Sequence, residues 1–188
     1  MDIIRVKQKT ERRYIMQYFK KTEMIRCYRE NKSDRCAECR LAQAVKSMPN
    51  GIDDNIEALV SNVLDPVRRS YNKPIKVTSG FRCPLHNSTI KGATGSQHVR
   101  GEAADIQAVG LVGNDQRLEN LEIAKVIVKL GNYDQLILED VNEGDIAPKW
   151  IHVSWKKTGV NRREIIKKVT GKAGYQKLSV LDMKQLTE

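Results

Sequence analysis

Ser96-Gln97-His98-Val99-Arg100-Gly101-Glu102-Ala103-Ala104-Asp105-Ile106 is the stretch whose reading decides the fold. It leads from an irregular segment into a predicted strand over 103–108 and sets one of the chain's three histidines seven residues ahead of an aspartate. Successive side chains of a strand point to opposite faces, so Asp105, between Ala104 and Ile106, projects to one face among apolar neighbours. A buried carboxylate of that kind needs a cation. Gly101 with Ala103 and Ala104 gives a tight return between His98 and Asp105, which would let the backbone pass close to a buried ion. His152, in Trp150-Ile151-His152-Val153-Ser154, is a third candidate donor. Two imidazoles and a carboxylate suit Zn²⁺, whose catalytic sites take three protein ligands and keep a fourth position for water. Taken singly, a strand histidine is more often a hydrogen-bonded core residue, and an aspartate at a strand start is more often a turn or cap.

Working outward, the residues before this stretch predict a helix capped by Asp54, with Ile56, Leu59, Val60, Val63, Leu64 and Val67 at three- and four-residue steps and a bend near Pro66. Ile75 to Ser79 alternates with the period of a strand, ended by Gly80. Phe81 to Gly101 then lacks any periodic pattern, and a loop of that length in a small domain is usually functional. After the second strand, Leu118, Leu121, Ala124, Ile127 and Val128 mark a helix stopped by Gly131. Gln135 to Glu139 and Trp150 to Trp155 predict two strands joined as a wide hairpin by an acidic connection. Ile165-Ile166 marks a last strand or helical turn, followed by a polar tail. The expected fold class is α+β, a single domain with a central, mainly antiparallel sheet and flanking helices.

The pattern Ser-x-His-x-x-Gly-x-Ala-x-Asp followed by Trp-x-His-x-Ser resembles the zinc D-alanyl-D-alanine metallopeptidases. That group includes D,D-carboxypeptidases, vancomycin-resistance dipeptidases and phage endolysins that cut L-alanyl-D-glutamate bonds, and it shares its fold with the hedgehog signalling domain. The resemblance takes in Val63-Leu64-Asp65-Pro66-Val67-Arg68, Pro74 to Pro84 and Asp134-Gln135-Leu136-Ile137-Leu138-Glu139, so that it covers roughly residues 51–168. It implies that His98, Asp105 and His152 hold one catalytic zinc ion. It implies that Arg82 holds a substrate carboxylate or polarises the scissile carbonyl, and that Ser96 and Gln97 contact substrate or support the first ligand. Many relatives carry Glu three residues before the last histidine, where this chain has Lys149. An ammonium cannot act as base at neutral pH without a large fall in pKa. Glu139 replaces it best, because hairpin pairing brings it across from the strand of His152; Asp140, Glu143 and Asp145 fit a solvated acidic loop instead. The implied activity is zinc-dependent hydrolysis of peptide bonds in peptidoglycan stem peptides, by a D,D-carboxypeptidase or an endolysin-like endopeptidase.

Lys and Arg number 33 against 23 Asp and Glu, a net charge of +10. Counted by segment the nets are +7 over 1–50, −3 over 51–155 and +6 over 156–188. A mildly acidic body between basic ends points to an anionic partner, here cell-envelope polymers, or else to ordinary solvated faces. A basic nucleic-acid binder is a rival, but 5% aromatic residues and the absence of a stacking motif speak against it. Another rival keeps the fold and loses the base: an inactive zinc-binding wall or virion protein. Cys36-Ala37-Glu38-Cys39, with Cys27 upstream, has the spacing of a zinc knuckle without a fourth ligand, and Cys83 is expected as a packed side chain. The expected divisions are a basic, helical extension over 1–50, the metallopeptidase domain over 51–170 and a polar tail over 171–188. No apolar run approaches the roughly 20 residues that span a bilayer, and the start shows no apolar signal region. The expectation is a monomer made in a bacterial cytoplasm that reaches the wall by release or with another protein's help.

Overall fold

The alternating stretches become strands in the computed structural model, which describes residues 15–25 and 51–188. They are β1 (Ile75–Ser79), β2 (Ala103–Ala108), β3 (Gln135–Val141), β4 (Trp150–Ser154), β5 (Glu164–Val169) and the two-residue β6 (Gln176–Lys177). The sheet order is β1-β2-β4-β3-β5-β6, with every neighbouring pair antiparallel except β3 and β5. The α+β class and the mainly antiparallel sheet are as the sequence indicates.

The two-residue period sorts the sheet into two faces. Ala104, Ile106, Leu136, Leu138, Ile151 and Val153 are buried on one of them, against apolar residues of the helices. Those helices are α2 (Ile52–Leu59), its continuation α3 (Asp65–Tyr71) and α5 (Gly113–Leu130), the last closed by Gly131 as expected. Between α2 and α3 lies a π turn, Val60–Leu64, in which Asp65 N–H reaches back five residues to Val60 O. This is the form taken by the bend expected near Pro66. Pro66 offers no N–H to the Asn62 carbonyl, which accepts from Asn132 Nδ2 at 2.6 Å. The cap differs from expectation: Gly51 holds the N-cap position, while Asp54 lies inside the first turn and pairs with Lys157 at 2.8 Å. The acidic side chains there suit the positive end of the helix dipole.

Two further findings extend the body beyond the expected 51–170. Residues 15–25, with the short helix α1 (Lys21–Met24), pack into the core through Phe19, Met24 and Ile25. Asp65 fixes them by accepting from Gln17 N–H (2.6 Å) and Tyr18 N–H (2.9 Å). At the other end, the expected polar tail contains β6 and helix α6 (Val180–Thr187), whose Leu186 is buried and whose Asp182 pairs with Lys167 at 2.8 Å. Cys27, Cys36, Cys39 and the rest of the expected 1–50 extension lie outside the described residues. Among the described residues no helix is long and apolar enough to cross a membrane.

Candidate metal centre

The face of the sheet turned away from the helices carries the polar residues. Register places Asp105 opposite His152, His152 opposite Ile137, and Ile137 opposite Ile166, one row across four strands. Glu139 lies two residues along β3 on that same face, opposite Trp150. The segment from Phe81 to Gly101 folds over this row. It is less irregular than the sequence suggests, with a short helix α4 (Pro84–Thr89), whose cap is Cys83 Sγ accepting from His86 N–H, and a 3₁₀ turn Gln97–Arg100. Cys83 is fully buried in the core, the packed side chain expected of it.

The 3₁₀ turn delivers His98 onto the row. Gly101 closes that turn at φ 71°, and a Cβ there would sit 3.0 Å from Ile52 and Ile56. The close approach that demands glycine is therefore to helix α2, and not to an ion as the sequence reading supposed. His98 Nδ1 faces the Gly80 carbonyl at 2.7 Å. A carbonyl only accepts, so Nδ1 carries the proton and Nε2 of the neutral ring presents a lone pair. That Nε2 lies 3.2 Å from Asp105 Oδ1 and 3.0 Å from His152 Nδ1, and Oδ1 and Nδ1 are themselves 3.0 Å apart.

Three candidate ligand atoms thus converge within 3.2 Å of one another. They are the group expected from the sequence, all three buried. Burial holds the His152 imidazole below its ordinary pKa despite its bond to Asp105. Burial alone would raise Asp105; the charges and hydrogen bonds of His98 and His152 outweigh it and hold the carboxyl well below the usual range. The donor set fits a tetrahedral cation, since ligands about 2.0–2.1 Å from one ion lie about 3.3 Å from each other.

Arg82 stands behind the cluster. Its Nη2 pairs with Asp105 Oδ2 and its Nε donates to Ser79 Oγ at 2.8 Å. One edge of the guanidinium thereby orients a candidate ligand, and the side chain also lines the cavity over the row. That cavity is about 960 Å³ and is lined by Ser96, Gln97, Glu139 and Trp150 as well. Gln97 is buried, and its Nε2 has no hydrogen-bond partner among the described residues. Trp150 opens onto the cavity, whereas Trp155 packs against the core with Nε1 on Asn132.

Glu139 is 9% exposed and burial pushes its pKa up to about 7; the negative charge of Asp105 adds to this, and His152, Lys168 and Arg82 oppose it. The pairing of β3 with β5 shifts register just after Leu138, and Asp140 stands at φ 54°. This bulge parts Glu139 from its neighbour: Asp140 turns outward to Thr170 Oγ1 (2.7 Å) and Lys149 Nζ (3.3 Å). Lys149 is thus held in an ion pair, its side chain 57% exposed. Glu143 pairs with Lys172, and the Asp145 carboxylate accepts from its own loop's N–H groups. Neither of them, nor Asp140, lines the cavity.

Sequence reasoning missed two supports. The Gly80 carbonyl that fixes His98 is a backbone group. Asn120, fully buried on α5, accepts from Ala108 N–H (2.8 Å) and donates to the carbonyls of Pro148 and Lys149, which holds the start of β4 against β2. Its signal was an amide on the apolar face of a helix, among Ile123, Ala124 and Ile127.

Residues 17–136 match the family model described as Peptidase M15, a span that takes in Arg82, His98 and Asp105 and ends before Glu139 and His152. A comparison with curated proteins gives no match.

Proposed function

Because the chain belongs to the peptidase M15 family, a family of metallopeptidases, we propose that it is a zinc-dependent peptidase that hydrolyses peptide bonds in the stem peptides of bacterial peptidoglycan. The observation that carries this reading is the convergence of the His98, Asp105 and His152 lone pairs beside a buried carboxyl on the same sheet face. His98, Asp105 and His152 would hold the zinc ion, which would supply Lewis acidity and lower the pKa of water at the site. The remaining steps fall to the protein. Glu139, with a pKa near neutrality, takes a proton from the attacking water and returns it to the leaving amine. Arg82 keeps Asp105 oriented through Nη2 and offers its remaining N–H groups to the oxygen that gains charge. Gln97 and Ser96 supply polar contacts to the peptide, Gln97 through an Nε2 that has no other partner among the described residues.

The test pairs metal content by mass spectrometry with hydrolysis of purified peptidoglycan, for the wild type and His98→Ala. One zinc per chain, lost together with hydrolysis in the variant, supports the peptidase. Released D-alanine identifies a carboxypeptidase; larger soluble fragments with new amino termini identify an endopeptidase. Zinc without hydrolysis on several wall types moves the reading to an inactive binding protein, and absence of zinc overturns the ligand set.

A further inference from the structure

The segment beyond β5 returns to the sheet and reaches the metal centre. β5 and β6 pair with Ile166 opposite Lys177 and Lys167 opposite Gln176, and continuing that register sets Lys168 opposite Tyr175. Lys168 builds the turn between them. Its Nζ donates to the carbonyls of Lys172 (2.5 Å) and Gly174 (3.1 Å) and lies 5.9 Å from the centre of the Tyr175 ring. Tyr175 is consequently fixed at the mouth of the cavity that holds Glu139, although 57% of its surface is exposed. It contributes nothing to the core, and its hydroxyl has no partner among the described residues.

We propose that Tyr175 is a substrate-contacting residue of this site, whose phenolic O–H donates a hydrogen bond to a carbonyl or carboxylate oxygen of the peptide lying over Glu139. This rests on the peptidase reading and adds a residue to it. Cationic residues of the same wall are committed elsewhere, Lys156 and Arg162 to Asp134 and Arg100 to Glu102. Arg82 is turned to Asp105 and to the reacting carbonyl, so among the described residues the Tyr175 hydroxyl is the unpaired donor at this side of the mouth, where an ionised Glu139 would repel a substrate oxygen that had no proton before it. The phenol keeps that proton: burial raises its pKa, and the charges of Glu139 and Asp105 raise it further. The ring adds a flat apolar surface that costs little conformational entropy to order.

Tyr175→Phe keeps the ring over Lys168 and removes only the hydroxyl. The probe is a synthetic D-alanyl-D-alanine-terminated stem pentapeptide. Its hydrolysis is measured in the wild type and Tyr175→Phe, and its binding, by Trp150 fluorescence, in zinc-loaded Glu139→Gln with and without Tyr175→Phe. The expected result is a fall of about tenfold in kcat/KM and a similar weakening of binding, with zinc content and Tm unchanged. Tyr175→Ala should weaken binding further. Unchanged binding and unchanged kcat/KM in Tyr175→Phe overturn the proposal while leaving the peptidase intact. Binding weakened by Tyr175→Phe, beside a wild type that hydrolyses nothing, supports the Tyr175 contact and overturns the peptidase reading instead. Absence of both binding and hydrolysis overturns both.

Discussion

The carbonyl of Gly80 accepts from Nδ1 of His98 at 2.7 Å, and the same glycine lies directly against the backbone of Met24 in the amino-terminal segment. A Cβ at position 80 would stand 2.2 Å from the Met24 carbonyl oxygen, which already accepts from the N–H of the next residue, Phe81, at 2.6 Å. Main chain cannot swing aside as a flexible side chain would. Gly80→Ala should therefore displace the carbonyl that sets the His98 tautomer, and zinc affinity should fall by about 10–100-fold. Competition with a fluorescent chelator measures this, with circular dichroism confirming that the fold persists; wild-type affinity would refute the linkage.

The roles of Glu139 and Lys149 can be separated by paired substitutions. Glu139→Gln should lower kcat by about 10²–10⁴-fold while zinc stays bound, as expected when a general base is removed. Lys149→Ala should leave kcat/KM within about twofold, because Lys149 is committed to Asp140 away from the cavity. The reverse pattern in steady-state kinetics would transfer the base to the connection.

Burial of Glu139 also predicts a pH dependence of stability in the zinc-free protein. Its folded pKa, about 7, lies above the 4.5 of an ordinary glutamate, so the folded state favours the protonated carboxyl. Below about pH 4.5 both states are protonated and no penalty arises. Between about pH 4.5 and 7 the unfolded chain ionises while the folded one keeps its proton, so stability falls by on the order of 3 kcal/mol and levels off above 7, where both are ionised. Urea unfolding between pH 5 and 8.5 should show this slope, and Glu139→Gln should flatten it.

Asp134 gives the opposite sign. It is 1% exposed; burial alone would raise its pKa, yet Arg162, through side chain and backbone, and Lys156 hold it at about 2. Its ionised form therefore stabilises the fold above about pH 4, and that contribution, on the order of 2 kcal/mol, is lost as pH falls toward 2. Asp134→Asn should lower Tm at pH 7 and weaken the acid limb of a Tm–pH profile; an acid limb identical to the wild type's would remove Asp134 from the account.

Glu139 was legible because pairing between Gln135–Val141 and Trp150–Ser154 needs only a two-residue period and a connecting loop, and His98, Asp105 and His152 because each stands in small or apolar company that makes its polarity conspicuous. The docking of residues 15–25 was not legible. It depends on Asp65 accepting backbone N–H groups and on a main-chain bond from Phe81 to Met24, and backbone partners leave no residue-type signature. The same holds for the turn that carries Tyr175, whose Lys168 grips two carbonyls. Asp54 was misjudged as a cap because a carboxylate inside a first turn and one just before it look alike in sequence.

The strand order has a consequence for timing. His98 and Asp105 precede β3 in the chain, whereas His152 arrives on β4, which inserts between β2 and β3. A nascent chain that has emerged only as far as Lys149 holds two of the three donors, one on the 3₁₀ turn and one on β2, a strand with one edge still open. The third donor and the closing of that edge come in a single event, so the candidate metal centre is complete only once β4 has taken its place between β2 and β3, while β5 and β6 are still to be added at the other side of β3.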